Sequence, residues 1–129
     1  MNIAVAVYGS PTTSCAHRNA LGFVRAALAA GHSIERVFFY HDAVLVGSTL
    51  VVSPQDESDF GQQWAALAAE HGLELAVCVA AALRRGILDA TEAARYERGS
   101  GCLREPFELV GLGQLAAAAI DAERLITFV

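Results

Sequence analysis

Short runs of apolar residues alternate along the chain with segments whose apolar positions recur at helical spacing. The short runs are rich in Val, Ile, Ala and aromatic residues, as is typical of strands buried on both faces of a parallel sheet. The predicted strands cover residues 2–8, 34–40, 73–77 and 125–129. The predicted helices cover residues 14–30, 42–50, 59–71, 79–85, 91–98 and 113–122. This alternation predicts an α/β fold, a three-layer α/β/α sandwich around a mainly parallel sheet.

Residues that begin and end helices stand at the expected places. Gly31, Gly72 and Gly86 follow predicted helices, and Ser58 or Asp59 at the start of the third predicted helix is expected to cap it. No linker, repeat or low-complexity stretch interrupts the chain of 129 residues. We therefore expect a single domain over residues 1–129, a length that suits one hydrophobic core.

Charge and hydropathy exclude several classes of protein. The net charge of −5 argues against direct binding of nucleic acid, which requires a basic surface. All nine basic residues are Arg, so neither Schiff-base chemistry on Lys nor a Walker-type phosphate loop is available. No apolar run reaches the roughly 20 residues that a membrane span needs. The short apolar N-terminus lacks the features of a signal peptide, so we expect a cytoplasmic protein without membrane contact.

The three cysteines, Cys15, Cys78 and Cys102, form no C-x-x-C pair. Their odd number and their spacing argue against a disulfide framework and against a structural zinc site. The four histidines are scattered without ligand spacing. We therefore predict no bound metal and no organic cofactor, and the chemistry of interest is that of a free thiol.

Cys78 is the strongest candidate for that thiol, because it follows a predicted buried strand and precedes a predicted helix. In parallel α/β folds the working site lies at the carboxyl ends of the strands. Unpaired N–H groups at the start of a helix, together with the helix dipole, favour a thiolate. Arg84 and Arg85 add positive charge further along the helix. From position alone, an equally good interpretation is that Cys78 is a small apolar residue that closes a core strand.

The segment from Cys78 to Gly86, CVAAALRRG, resembles the active-cysteine segment of the TusD/DsrE family of sulfur-relay proteins. The resemblance extends in the same order over nearly the whole chain. It includes the segments at residues 37–40, 64–72, 87–93 and 111–115. The loops at residues 10–15 and 99–106 depart from the family pattern, and Cys15 and Cys102 match no family cysteine.

The resemblance implies a DsrE-like fold and a sulfurtransferase that carries sulfur as a persulfide on Cys78. It implies paralogous TusB-like and TusC-like subunits in a heterohexamer, a TusA-like sulfur donor and a TusE-like acceptor. The implied end use is 2-thiolation of the wobble uridine of tRNA, and the alternative within the family is a DsrE-type relay of sulfur oxidation. Cys15 and Cys102 are expected to be spectator thiols.

Two alternatives belong to other classes. Cys78 and Arg84 have the C-x5-R spacing of cysteine-dependent phosphatases, but the intervening Val-Ala-Ala-Ala-Leu favours a helix over a loop that curls around phosphate. The chain is alternatively a non-catalytic scaffold subunit of the same fold, because a fold by itself fixes no function. Loss of sulfur transfer on replacement of Cys78 separates the relay interpretation from the scaffold.

Overall fold

A single sheet of five parallel strands forms the centre of the molecule, described over residues 1–129 by a computed structural model. The strands are β1 (Asn2–Val7), β2 (Ser33–Phe39), β3 (Leu75–Cys78), β4 (Glu108–Val110) and β5 (Arg124–Phe128). Their order in the sheet is β4-β3-β2-β1-β5, and every neighbouring pair is parallel. The predicted parallel α/β architecture is therefore confirmed.

Five α-helices and one 3₁₀ helix connect the strands. They are α1 (Ala16–Ala29), the 3₁₀ helix (His41–Gly47), α2 (Phe60–His71), α3 (Val79–Arg84), α4 (Ala90–Arg95) and α5 (Gly113–Asp121). The rings of Phe39 on β2 and His17 on α1 stack, whereas Arg36 of β2 donates a hydrogen bond to the Gln114 carbonyl of α5. Side chains alternate along a strand, so α1 and α5 cover opposite faces of the sheet. None of these helices combines the length and the apolar character required to cross a membrane.

The prediction of four strands was wrong by one, because β4 was not among them. β4 has only three residues and begins with the exposed Glu108, so it lacks an apolar run of its own. It forms by pairing Glu108, Leu109 and Val110 with the last three residues of β3. The segment predicted as a helix over 42–50 is the 3₁₀ helix, which ends at Gly47.

The predicted ends of α2 are confirmed, whereas α4 ends at Arg95, before the predicted residue 98. The Asp59 carboxylate accepts a hydrogen bond from the backbone N–H of Gln62 at 3.0 Å, which caps α2. Asp89 caps α4 through the N–H of Glu92 at 2.8 Å. Gly72 ends α2 with a φ of 67°, a left-handed conformation that glycine adopts without strain.

A buried hydrogen bond joins α1 to α2 within the core. Trp64 Nε1 donates to His17 Nδ1 at 3.1 Å, and both side chains are 0% exposed. The His17 ring also stacks on Phe39, with 5.8 Å between the ring centroids. Because the indole N–H can only donate, His17 Nδ1 accepts, and the proton of the neutral ring is on Nε2. His17 Nε2 itself has no hydrogen-bond partner.

The buried position of His17 makes its charged form costly. Burial lowers the pKa of His17 from 6.5 to about 4, and the nearby Gly9 backbone offsets only part of this effect. The unfolded chain therefore binds a proton on His17 at a higher pH than the folded chain does. As pH falls below about 6.5, protonation favours unfolding, and the stabilisation by neutral His17 is lost progressively towards about pH 4.

We expect the free energy of unfolding to depend on pH because His17 binds a proton more readily in the unfolded chain. Between pH 7 and pH 5, His17 should lower the free energy of unfolding by about 2 kcal/mol, as chemical denaturation at each pH measures. His17→Gln keeps an acceptor for the Trp64 N–H but does not titrate, so it should remove most of that decrease. His71→Gln at the exposed end of α2 is the matched control and should leave the decrease in place. An equal pH dependence in wild type and His17→Gln would contradict the assignment.

Candidate functional site

The candidate site lies where β3 ends and α3 begins. Cys78 is both the last residue of β3 and the residue that precedes the first turn of α3. β3 lies between two other strands, with Val77 beside Phe39 of β2 and Cys78 beside Val110 of β4. The thiol therefore lies at the carboxyl edge of the sheet, as predicted, and the side chain is only 2% exposed.

The start of α3 offers free backbone N–H groups beside Cys78. No side chain caps this helix, so its first N–H groups receive no side-chain acceptor. The sequence favours this abrupt change from strand to helix, because Ala80, Ala81 and Ala82 have high helix propensity and Ala81 and Ala82 fit into the core. Cys78 directly precedes these N–H groups, although its thiol forms no hydrogen bond with them.

Arg85 connects α3 to the 3₁₀ helix. Its Nε donates to Asp42 Oδ1 at 2.9 Å, and its Nη1 donates to the Ala81 carbonyl at 3.0 Å. Arg84 is exposed in the last turn of α3 and lines a cavity of about 590 Å³ that also contains Cys102. Neither guanidinium forms a hydrogen bond with Cys78. The supporting role of Arg84 and Arg85 stays a prediction. It would depend on the electrostatic effect of their positive charges on Cys78 over a longer distance.

The C-x5-R spacing does not build a phosphate-binding loop in this chain. Residues 79–84 form the helix α3, and the Arg84 side chain is exposed at the far end of that helix. The phosphatase loop instead curls so that its N–H groups and its Arg converge on one oxyanion. The geometry thus disfavours the phosphatase alternative.

An aromatic cluster occupies the carboxyl ends of β1 and β2, of which β2 is the neighbour of β3. The rings of Tyr40 and His41 lie 4.0 Å apart, and Tyr8 approaches them at 5.8 and 5.5 Å respectively, measured between ring centroids. The His41 backbone has a φ of 51°, which few residues other than glycine adopt. These residues were not predicted as part of the site, because they follow two different strands. The only signal in the sequence was that each one comes directly after a strand.

The other two cysteines lie in different surroundings. Cys15 is exposed and directly precedes α1. Cys102 is half-buried, and its thiol lies 3.8 Å from the Ser48 hydroxyl and 3.5 Å from the Gly86 carbonyl oxygen. All three cysteines are free thiols, and no group of three His, Cys, Asp or Glu side chains is placed to hold a metal ion.

Comparison with known proteins supports one family. The DsrE/DsrF-like family matches residues 1–128. The sulfurtransferase TusD homolog of Pseudomonas aeruginosa is 51% identical over 128 residues, covering 99% of this chain and 97% of that protein. The sulfurtransferase TusD of Erwinia tasmaniensis is 47% identical over 121 residues, covering 94% and 91%. The putative sulfurtransferase DsrE of Allochromatium vinosum is 44% identical over 128 residues, covering 99% and 98%.

A solved structure agrees in fold. The ychN protein of E. coli superposes with a TM-score of 0.79 and covers 99% of each chain, at 20% sequence identity. At that identity the likeness concerns the fold alone. The family match over residues 1–128 and the full-length relatives together show that this chain belongs to the DsrE/DsrF-like family.

Proposed function

We propose that this chain is a sulfurtransferase that carries sulfur as a persulfide on Cys78. The observation that carries the proposal is the position of Cys78 at the carboxyl edge of the sheet, directly before the uncapped start of α3. The names of the full-length relatives from P. aeruginosa and E. tasmaniensis support the activity. Cys15 and Cys102 lie in the two loop regions that depart from the family pattern, which favours Cys78 over both.

The proposed reaction is a transfer of sulfane sulfur between thiols. The Cys78 thiolate attacks the outer sulfur of a donor persulfide, the donor's S–S bond breaks, and the donor leaves as a thiolate. Cys78 then bears the persulfide Cys–S–S⁻, with its negative charge beside the free N–H groups of α3. An acceptor thiolate attacks that outer sulfur, the new S–S bond breaks, and Cys78 returns as a thiolate. The two steps conserve electrons, so neither requires a redox cofactor or a metal.

The proposed place of this reaction is the relay that ends in 2-thiolation of the tRNA wobble uridine. A TusA-like protein supplies the sulfur and a TusE-like protein accepts it. Relatives named TusD from P. aeruginosa and E. tasmaniensis, at 51% and 47% identity, support this output, and the A. vinosum DsrE at 44% keeps a DsrE-type relay of sulfur oxidation as the alternative. The free state of all three thiols suits the reducing cytoplasm, where we place the protein.

Apolar residues that are exposed in the single chain around α5 and β5 indicate a contact surface for partner subunits. Ile120 of α5 is 82% exposed, Leu112 beside that helix is 47% exposed, and Leu125 on the edge strand β5 is 38% exposed. An exposed apolar face next to an unpaired strand edge is a site of association. We assign it to TusB-like and TusC-like paralogues in a heterohexamer.

Access to Cys78 requires a local opening, because the side chain is only 2% exposed. The 3₁₀ helix contacts both β3 and α3, the two elements that meet at Cys78. The ion pair between Asp42 and Arg85 fastens the 3₁₀ helix to α3. We therefore propose that a donor or acceptor reaches the sulfur by displacing this helix.

Intact-mass spectrometry tests the persulfide directly. After incubation with a cysteine desulfurase, cysteine, a TusA-like carrier and the partner subunits, the chain should gain about 32 Da, one sulfur atom, which a reductant removes. Cys78→Ala should lack this gain, whereas the matched variants Cys15→Ala and Cys102→Ala should keep it. A gain that survives Cys78→Ala, or no gain in any variant, would sink the proposed carrier role. Sulfur transfer through the complex that persists in Cys78→Ser would favour the scaffold interpretation.

Thiol alkylation tests the proposed opening. Loss of the ion pair in Asp42→Asn or Arg85→Gln should speed alkylation of Cys78 by up to about fivefold, because an exposed ion pair contributes about 0.2–1 kcal/mol. Peptide mapping assigns the modified thiol. Arg95→Gln, which removes the ion pair of the exposed Arg95 with the half-buried Glu92 on α4, is the control and should leave the rate unchanged. Equal Cys78 rates in all four proteins would contradict this route.

Sedimentation tests the proposed partner surface. Ile120→Glu places a charge on the exposed face of α5 and should prevent or weaken assembly with the TusB-like and TusC-like subunits. Because Ile120 is 82% exposed in the single chain, the variant should fold with an unchanged circular dichroism spectrum. Ala116→Glu adds the same charge elsewhere on α5 and reports how far the interface extends. Normal assembly of Ile120→Glu would place the partners on another surface.

A further inference from the structure

A polar cavity of about 400 Å³ lies apart from Cys78, which is not among its lining residues. Three parts of the chain form its wall: the loop after β1 with the start of α1, the stretch from the end of the 3₁₀ helix to the start of α2, and Arg104. Its volume falls within the range of pockets that bind small molecules. Its polar lining includes the guanidinium groups of Arg18 and Arg104. It also includes hydroxyl groups, those of Thr12, Ser14, Ser48 and Ser58.

Arg104 lines the cavity, and its guanidinium group forms no ion pair. Its backbone N–H donates to the Gly47 carbonyl at 2.7 Å, which fixes the residue in place. Its side chain takes part in no ion pair, and the buried Nε has no hydrogen-bond partner. An unpaired buried N–H is costly, and a charged one more so, which makes a missing acceptor the natural explanation.

The surroundings of Arg104 add positive potential. A Cβ at Gly61 would lie 3.2 Å from Arg104 Nε, so the guanidinium lies against the first turn of α2. This turn is the positive end of the helix dipole, and it also lines the cavity. Arg18 on α1 lines the same cavity, and it too lacks an ion pair. Positive charge thus converges on the cavity from two arginines and one helix.

Three carboxylates also line the cavity, and none of them forms an ion pair with Arg18 or Arg104. Asp59 is engaged as the cap of α2, where it accepts the Gln62 N–H. Asp56 and Glu57 are exposed and form no ion pair with Arg18 or Arg104. Their negative charge opposes an extended polyanion such as nucleic acid, so the arrangement favours a compact ligand with one anionic group.

We propose that this cavity binds a small molecule that carries a phosphate- or sulfate-type oxyanion, with the oxyanion at Arg104. The fork of guanidinium N–H groups matches two oxygens of such a group, and the Ser58 hydroxyl in the cavity wall supplies a further donor. The cavity is a second site, independent of Cys78, and does not depend on the sulfur-transfer proposal.

Thermal unfolding with inorganic phosphate and with sulfate, at constant ionic strength set with chloride, measures binding. Wild type should show a saturable rise in Tm with at least one of the two anions. Arg104→Gln should weaken the apparent affinity by about tenfold or more, since it removes a charge-assisted contact. Arg18→Gln, at an exposed position, should weaken it less, and Arg95→Gln on α4 should leave it unchanged. No saturable rise in wild type, or the same rise in all four proteins, would overturn the site.

Cys15 gives a second readout, because this exposed thiol lines the same cavity. The anion that raises Tm should slow alkylation of Cys15 by N-ethylmaleimide in wild type and not in Arg104→Gln. Cys102, which lies outside the cavity, serves as the internal control. Unchanged Cys15 rates at anion concentrations that saturate the Tm shift would show that the anion binds elsewhere and would also overturn the proposal.

Discussion

Parallel pairing of β3 with both β2 and β4 is the constraint on which the candidate site depends. Each pairing involves only three residue pairs, yet together they fix where the strand ends and which way Cys78 faces. Parallel strands bring their carboxyl ends to one edge, so this thiol, the aromatic cluster after β1 and β2, and the 3₁₀ helix lie together. A shift of one residue in either pairing would turn the Cys78 side chain to the opposite face of the sheet.

The two faces of the sheet serve different purposes. On the face covered by α1 and α2, the hydrogen bond between His17 and Trp64 and the stacked aromatic rings form a tightly packed core. On the other face, α5 contributes a single fully buried residue, Ala118, and leaves apolar side chains exposed. The first face holds the fold together within one chain, whereas the second leaves exposed the apolar surface that we propose for partner subunits.

Much of the fold could be predicted because the signals are local. Continuous apolar runs mark the long strands, and Asp59 and Gly72 act on residues close to them in sequence. The position of Cys78 was also predictable, since a strand and a helix meet there. β4 was not, because its three residues become a strand only through pairing with β3. The ion pair of Arg85 with Asp42, the bond of His17 to Trp64 and the free Arg104 depend on long-range packing, which no local pattern specifies.

If Cys78 carries a persulfide as proposed, its burial has a consequence for how the small thiols of the cell react with the loaded protein. Any low-molecular-weight thiol can remove sulfane sulfur from an exposed cysteine, since this exchange needs only an attacking thiolate. A sulfur atom on the buried Cys78 would escape these collisions, and its lifetime would follow the frequency of local opening rather than the concentration of competing thiols. Fidelity of delivery would then come from the proposed local opening by a correctly docked protein, without any need for tight affinity.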